Sequence, residues 1–349
     1  MKVAIGLSGG VDSAVAALKL LEDGHEVVAI TMRIWRGAYR GGERAGCFGP
    51  GEAESIARAA AVAGELGVPH RVLDCSAEYE ETVVKYFRET YLSGRTPNPC
   101  VLCNALMKFG LLPQLAAEAG IAFDRFATGH YARVGEEGGR MLLRRASDGA
   151  KDQSYFLCRL SQSQLRRQLF PLGDLCKEEV RSLAARRGLA AADRPDSQDF
   201  YTGDKAELIG AEDRPGNFVD VNGKVLGRHR GFWHYTVGQR KGLGLGGGGT
   251  PWYVLDLNAC RNEVTVGRAE EAVRTSLSVA DMNWVSLAPT AAPVECLVKV
   301  RSAGRLVPAT LENGRAEFPS GIAGIAPGQS AVFYSPDGDR VLCAGEIVS

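Results

Sequence analysis

Two short segments carry residues whose types and spacing could do chemistry. The first is Gly6-Leu7-Ser8-Gly9-Gly10-Val11-Asp12-Ser13, set between an apolar run that begins at Val3 and a helical pattern that reaches Leu21. Three glycines let the backbone turn tightly and approach an anion, and the helix that follows offers its free N–H groups and positive dipole end. The chemistry is phosphate binding, although the loop lacks the Lys that a G-x-x-x-x-G-K-[ST] loop sends to the terminal phosphates. The second segment is Gly94-Arg95-Thr96-Pro97-Asn98-Pro99-Cys100-Val101-Leu102-Cys103-Asn104, followed by Lys108-Phe109. Its prolines fix an extended approach and place two thiols three positions apart. A helix starting near Cys100 would favour the nucleophilic thiolate. A lone C-x-x-C is also half a zinc site or a redox pair, but tetrahedral zinc needs two further ligands, and the chain has no second C-x-x-C and no spaced His pair.

The elements that must hold these segments alternate. A strand from Val3 to Leu7, a helix from Ser13 to Leu21 stopped at Gly24, and a strand from Val27 to Trp35 lead to a helical stretch from Glu52 to Leu66 and an apolar segment at Val72-Leu73. This is the rhythm of a parallel sheet covered by helices, with ligands at the carboxyl ends of the strands. Character changes after about Asp204. Pro215 to Gly249 is rich in Gly and aromatics and reads as a small linking domain with a mobile loop. From about Ser276 short strands take over, with an Asn313-Gly314 turn and two runs flanking Pro336-Asp337-Gly338, as in hairpins closing into a small barrel. The expected fold class is α/β: an N-terminal doubly wound parallel sheet over 1–205, a central domain over 206–272 and a C-terminal β-barrel over 273–349.

The chain has 349 residues and zero formal net charge, so overall charge does not call for a nucleic-acid partner. The distribution is less even: from Arg140 to Arg187 there are eleven Lys or Arg against five Asp or Glu, and Arg228-His229-Arg230 and Arg240-Lys241 follow. Such faces could neutralise RNA phosphates, as could any solvated helix face arise without RNA. Met1 leads directly into the first strand and no apolar run looks long enough to span a bilayer, so no membrane is expected and the cytoplasm is the expected place. Nine cysteines at irregular spacing argue for thiols or a metal site over a disulfide framework. Cys158, Cys176, Cys260, Cys296 and Cys343 sit in apolar contexts and read as core; Trp233 and Tyr235 read equally as core or as RNA-stacking rings.

Ser8-Gly9-Gly10-x-Asp12-Ser13 resembles the signature of PP-loop pyrophosphatases, which split ATP between its first and second phosphates and transfer AMP. Together with the Arg95 to Asn104 segment, Thr128-Gly129-His130-Tyr131, Lys151-Asp152-Gln153-Ser154-Tyr155-Phe156-Leu157, Asp196-Ser197-Gln198 and Tyr235-Thr236-Val237-Gly238-Gln239-Arg240-Lys241-Gly242-Leu243, it resembles tRNA-specific 2-thiouridylases along nearly the whole chain. The resemblance implies ATP and Mg2+ as cofactors, the anticodon loop of tRNA as partner, adenylation of the 2-carbonyl oxygen of the wobble uridine, and its replacement by sulfur. It further implies that Gly6, Leu7, Ser8, Gly9, Gly10, Val11, Asp12, Ser13, Met32 and Gly129 hold ATP, with Asp12 helping to place magnesium and pyrophosphate. Asn98, Pro99 and Cys100 would face the target base, and His130, Lys151, Asp152, Gln153, Arg301, Ser302 and Gln329 would contact tRNA. Cys103 matches the nucleophilic cysteine.

The chain departs from that family at two places. Most members carry Asp where this chain has Cys100, and a second catalytic cysteine where it has Tyr201. Two routes remain for sulfur: a Cys100/Cys103 persulfide relay fed by a carrier protein or cysteine desulfurase, or a 4Fe–4S cluster on Cys47, Cys100 and Cys103 whose open iron takes free sulfide. Cys75 is the alternative third ligand. Rival readings are a PP-loop ligase or amidotransferase acting on a small molecule, and a catalytically inactive tRNA-binding protein.

Overall fold

The computed structural model describes residues 1–37, 39–40, 46–192, 200–246 and 249–349. The Asp196-Ser197-Gln198 motif and the middle of the Gly246 to Gly249 run lie outside the described residues.

Strand β1 (Lys2–Gly6) is the centre of the N-terminal sheet, with Val3, Ala4 and Ile5 fully buried. A strand covered on both faces reads as a continuous apolar run. It pairs in parallel with β2 (Glu26–Arg33) on one side and β4 (Arg125–Thr128) on the other; β3 (His70–Asp74) lies beyond β2, and β7 (Gln168–Leu169) beyond β4. The chain therefore winds outward from β1 in one direction and resumes on its other side. That reversal is a topological switch point, and it opens a crevice at the carboxyl ends of β1 and β4. Helix α1 (Val11–Glu22) leaves directly from the glycine loop, and α2 (Glu52–Glu65) runs from β2 toward β3. Gly24, at φ 77°, follows α1 in the left-handed conformation that ends helices. A hairpin of β5 (Ala132–Glu137) and β6 (Arg140–Arg145) projects from the domain toward the C-terminal barrel.

The central domain is a four-stranded sheet in which β8 (Gly216–Val219) pairs with β9 (Val225–His229) and, in parallel, with β11 (Glu263–Gly267), which pairs with β10 (Tyr253–Asn258). Trp233 and Tyr235 are buried in its core, so the core reading of these rings holds. The closed barrel comprises β12 (Val273–Trp284), β13 (Val294–Lys299), β14 (Val307–Glu312), β15 (Arg315–Ala323), β16 (Ser330–Tyr334) and β17 (Val341–Ile347). Asn313 and Gly314, at φ 49° and 76°, join β14 to β15 with the double positive φ that an Asn-Gly hairpin requires.

Three expectations are corrected. One helix among the described residues, Pro99–Glu118, is long and apolar enough to cross a membrane; its Val101, Met107, Phe109, Leu112 and Ala116 are buried in the N-terminal core, which explains its hydropathy without a bilayer. Cys260 is exposed, not core, because it lies in the turn between β10 and β11. Cys176 is half-buried and caps the helix Lys177–Arg186, a capping position that the apolar context concealed.

Candidate active site

The glycine loop is shaped by its own serines. Ser13 Oγ accepts the Ser8 backbone N–H at 3.2 Å, lies 3.1 Å from Ser8 Oγ and donates to the Gly10 carbonyl at 3.1 Å. Gly10 precedes α1 and no side chain caps the helix, so its first-turn N–H groups face the crevice, the arrangement that receives an anion. Gly9 adopts φ +76°, and a Cβ there would sit 2.9 Å from the Ala59 nitrogen on α2. Across the switch point, Gly129 touches the start of α1: a Cβ would lie 2.7 Å from the Ser13 nitrogen and 2.8 Å from the Asp12 carbonyl carbon. Only glycine lets the β4 loop approach so closely.

Asp12 is held by residues the motif does not contain. Its Oδ1 accepts Lys177 Nζ at 2.7 Å and the Tyr131 hydroxyl at 2.8 Å. Lys177 is only 5% exposed. Tyr131 is locked in turn by Gln153, whose side-chain oxygen accepts the Tyr131 N–H and whose own N–H donates to the Tyr131 carbonyl, each at 2.9 Å. Asp152 is engaged within the fold, its carboxylate accepting from Ala146 N, Ser154 N, Ser154 Oγ and Arg145 Nε at 3.0–3.2 Å. His130 Nδ1 lies 2.8 Å from Thr128 Oγ1, and burial, then the Lys108 ammonium, hold its pKa well below the usual imidazole range. The ring is neutral at physiological pH.

One cleft of about 680 Å³ joins these groups to the thiols. Its lining includes the loop from Gly6 to Ser13 except Gly9, Met32, Gly129, His130, Lys151, Asp152 and Gln153, together with Cys47, Pro99, Cys100, Cys103, Lys108 and Ser302. The Cys100/Cys103 pair begins the helix Pro99–Glu118, which Asn98 caps by accepting the Val101 N–H at 3.4 Å. From Cys103 to Leu111 the helix is π-helical, with i→i+5 hydrogen bonds. In an α-helix two residues five apart diverge by about 140° around the axis. The wider turn instead returns Lys108 toward the face of Cys103, and both line the cleft. Burial raises the Cys103 pKa, while Lys108 acts to lower it. Burial also opposes the charge on Lys108, but Cys103, Cys47 and Cys100 outweigh it, and the net direction for the ammonium is upward.

Cys47 reaches the cleft through its neighbour. Phe48 is 2% exposed and packs among Trp35, Tyr39, Tyr79, Phe200 and Tyr201. Cys75 is fully buried and does not line the cleft. Tyr201 sends its hydroxyl to Glu207, whereas Phe200 lines the cleft. Among the described residues no group of three or more His, Cys, Asp or Glu side chains is arranged to hold a metal ion. Cys47, Cys100 and Cys103 line the cleft together with Lys108, whose charge all three thiols favour.

The barrel braces the segment before Cys100. Gln329 Nε2 donates to the Thr96 and Pro97 carbonyls at 3.2 and 2.7 Å, and Thr96 N donates to the Pro327 carbonyl at 2.7 Å. Asn98 Nδ2 donates to the Tyr155 hydroxyl, which donates to the Ser330 carbonyl at 2.9 Å. Arg301 is exposed beside Ser302 at the cleft rim. The structure thus brings the expected loop except Gly9, with Pro99 and the thiols, to one cleft, whereas Asn98 is buried on Val101 and Tyr155 and Gln329 and Asp152 act as braces. Sequence reasoning missed Lys177, Tyr79 and Glu52. Glu52 Oε1 accepts the N–H groups of Ile34 and Trp35 at 2.6 and 3.0 Å and shapes the cleft beside Met32. The one sequence signal for Lys177 was a cation in the first turn of a helix, where the dipole disfavours it.

A phosphate-cradling loop at the switch point of a parallel sheet, sharing one cleft with paired thiols, defines a nucleotide-binding α/β domain that carries out thiol chemistry. Family profiles described as tRNA methyl transferase HUP domain, tRNA methyl transferase PRC-barrel domain and aminomethyltransferase beta-barrel domain match residues 1–201, 208–268 and 274–347. The tRNA-specific 2-thiouridylase MnmA of Endomicrobium trichonymphae is 44% identical over 359 aligned positions, covering 100% of this chain and 99% of its own. That of Carboxydothermus hydrogenoformans is 42% identical, covering 99% of this chain and 97% of its own. The chain belongs to the tRNA-specific 2-thiouridylase family.

Proposed function

We infer that the protein is a tRNA uridine 2-sulfurtransferase, which thiolates tRNA at the expense of ATP with Mg2+. The observation that carries this is one cleft lined both by the glycine loop and by Cys100 and Cys103. A uracil carbonyl oxygen is a poor leaving group; once it carries AMP, a sulfur nucleophile held nearby can attack C2 and expel AMP. Methyl transfer, the wording of two of the profiles, needs neither a phosphate cradle nor adenylation.

In this reading Gly6 to Ser13, Met32 and Gly129 receive ATP, with Asp12 as the carboxylate for magnesium. Asn98, Pro99 and Cys100 face the wobble uridine, extruded from the anticodon loop at a cost of roughly a few kcal/mol. His130 and Lys151 meet the RNA from the cleft wall, and Arg301 and Ser302 from its rim. Cys103 is the sulfur nucleophile. Sulfur arrives as a persulfide on Cys103, delivered by a carrier protein or cysteine desulfurase, with Lys108 as the nearby cation. The outer sulfur of that persulfide attacks C2 and expels AMP. Cys100 then attacks the Cys103 sulfur to break the S–S bond and release thiouridine, and an external thiol reductant returns the resulting Cys100–Cys103 disulfide to thiols. Free sulfide held by a 4Fe–4S cluster on Cys47, Cys100 and Cys103 is the competing route. The cytoplasm is the compartment we assign, and 1–205, 206–272 and 273–349 are the boundaries we propose for dissection.

The test is incubation of the protein with unmodified tRNA, ATP, magnesium and a persulfide source. AMP release and 2-thiouridine that both depend on tRNA and on Cys103 support the reading; neither product, or AMP release with a metabolite in place of tRNA, overturns it. Iron and acid-labile sulfide near zero in active, anaerobically purified protein would assign the persulfide route, and about four of each per chain the cluster.

A further inference from the structure

The glycine loop carries no lysine, yet a buried ammonium stands at its helix. Lys177 Nζ lies 2.7 Å from Asp12 Oδ1 and 5.8 Å from the centroid of the Tyr131 ring. It comes from the first turn of the helix Lys177–Arg186, where the positive end of the dipole opposes a cation. Its backbone N–H is fixed on Asp148 Oδ2 at 3.2 Å. Packing does not explain burying a charge at this cost, and a carboxylate on α1 does not need it, because the N-terminal end of α1 already favours an anion. What Asp12 does need is neutralisation whenever a polyphosphate shares its crevice, since two anions at short range repel.

We propose that Lys177 is the cation for the departing pyrophosphate, the ammonium that other phosphate loops carry in the loop itself, and that its pairing with Asp12 is the resting form of a charge exchange. The proposal rests on the adenylating activity assigned above. With magnesium and nucleotide bound, Asp12 would help hold the metal and Lys177 would turn to a phosphate oxygen. As the uridine oxygen bonds to the α-phosphorus, the bond from that phosphorus to the bridging oxygen breaks and its electron pair stays on pyrophosphate. Lys177 keeps its proton and donates a hydrogen bond to the charge that accumulates there. The residue is placed by tertiary structure, 165 positions from Asp12.

The experiment is titration of inorganic pyrophosphate onto the full chain, without tRNA, by calorimetry. With magnesium, Lys177→Gln weakens binding at least about tenfold and Lys177→Arg by less than about threefold, as loss and retention of a charge-assisted bond require. Without magnesium, Asp12→Asn binds pyrophosphate about tenfold more tightly than the parent chain, because the ammonium is released and a repelling carboxylate removed. Unchanged affinity in Lys177→Gln, equal losses in the Gln and Arg variants, or no gain in Asp12→Asn would each overturn the proposal, the last even if Lys177→Gln fails to fold. Because tRNA is absent, a negative result here leaves the thiolation reading standing, and a parent chain that binds pyrophosphate yet forms no AMP with tRNA fails only that reading.

Discussion

Phe48 donates its backbone N–H to the Phe200 carbonyl at 3.0 Å, and their rings stack with centroids 5.7 Å apart. The pair ties the loop of Cys47 to the segment of Tyr201, the position where the sequence resemblance led to the expectation of a second cysteine. Cys47 is thus beside the place of the missing thiol and lines the same cleft as Cys103. On the persulfide route assigned to Cys100 and Cys103, Cys47→Ser is expected to change the rate of tRNA thiolation by less than about threefold. Thiouridine formation under single turnover checks this, and a loss of about tenfold or more would bring Cys47 into the reaction, as the competing cluster requires.

Gly129→Ala would drive a methyl group to within 3.0 Å of the Asp12 and Ser13 backbone. The start of α1 has to move, and with it the N–H groups aimed at the phosphates. ATP affinity should fall by about one to two orders of magnitude, equivalent to one or two hydrogen bonds to a charged group, with little change in the melting of the barrel. Equilibrium binding of ATP measures it; affinity equal to the parent would show that the loop is not built on that contact.

Gln329→Ala removes two hydrogen bonds from the Thr96 and Pro97 carbonyls. The expected result is a lower rate of thiolation at saturating tRNA with tRNA affinity changed by less than about threefold, because the amide positions a segment instead of touching RNA. A loss of tRNA affinity with the rate preserved would make Gln329 a direct RNA contact.

Acid should weaken the fold through its histidines. His130, His70 and His229 all have pKa values held down, by burial first in each case. Above about pH 6.5 the imidazoles are neutral in both folded and unfolded chains; as pH falls below that value the unfolded chain binds protons that the folded one refuses, so stability is lost. Denaturant midpoints should drop between about pH 7 and about pH 5, and His130→Asn should flatten part of that slope. An unchanged slope would place the acid sensitivity elsewhere.

The glycine loop was legible because its chemistry is local: strand, turn and helix are contiguous, and the two serines that shape it lie five positions apart. The thiol pair was legible for the same reason. Lys108 was visible only as a letter, since its facing depends on a π-helical stretch that no apolar period distinguishes from α. Lys177 and Gln329 were harder still. Their partners are 165 and 232–233 residues distant, and a lysine or glutamine that will be buried looks in sequence like one that will be solvated. The parallel pairing of β8 with β11 was likewise hidden, because the Gly-rich composition between them carries no register.

The loop from Pro327 to Ser330 closes over Thr96, Pro97 and Tyr155. During synthesis on the ribosome, the thiol-bearing segment is made long before the residues that brace it, which lie 232–233 positions downstream. A chain released early would carry an intact glycine loop and both thiols, yet hold them on an unbraced segment. The geometry of the thiol segment is thereby coupled to strands that lie more than two hundred residues downstream.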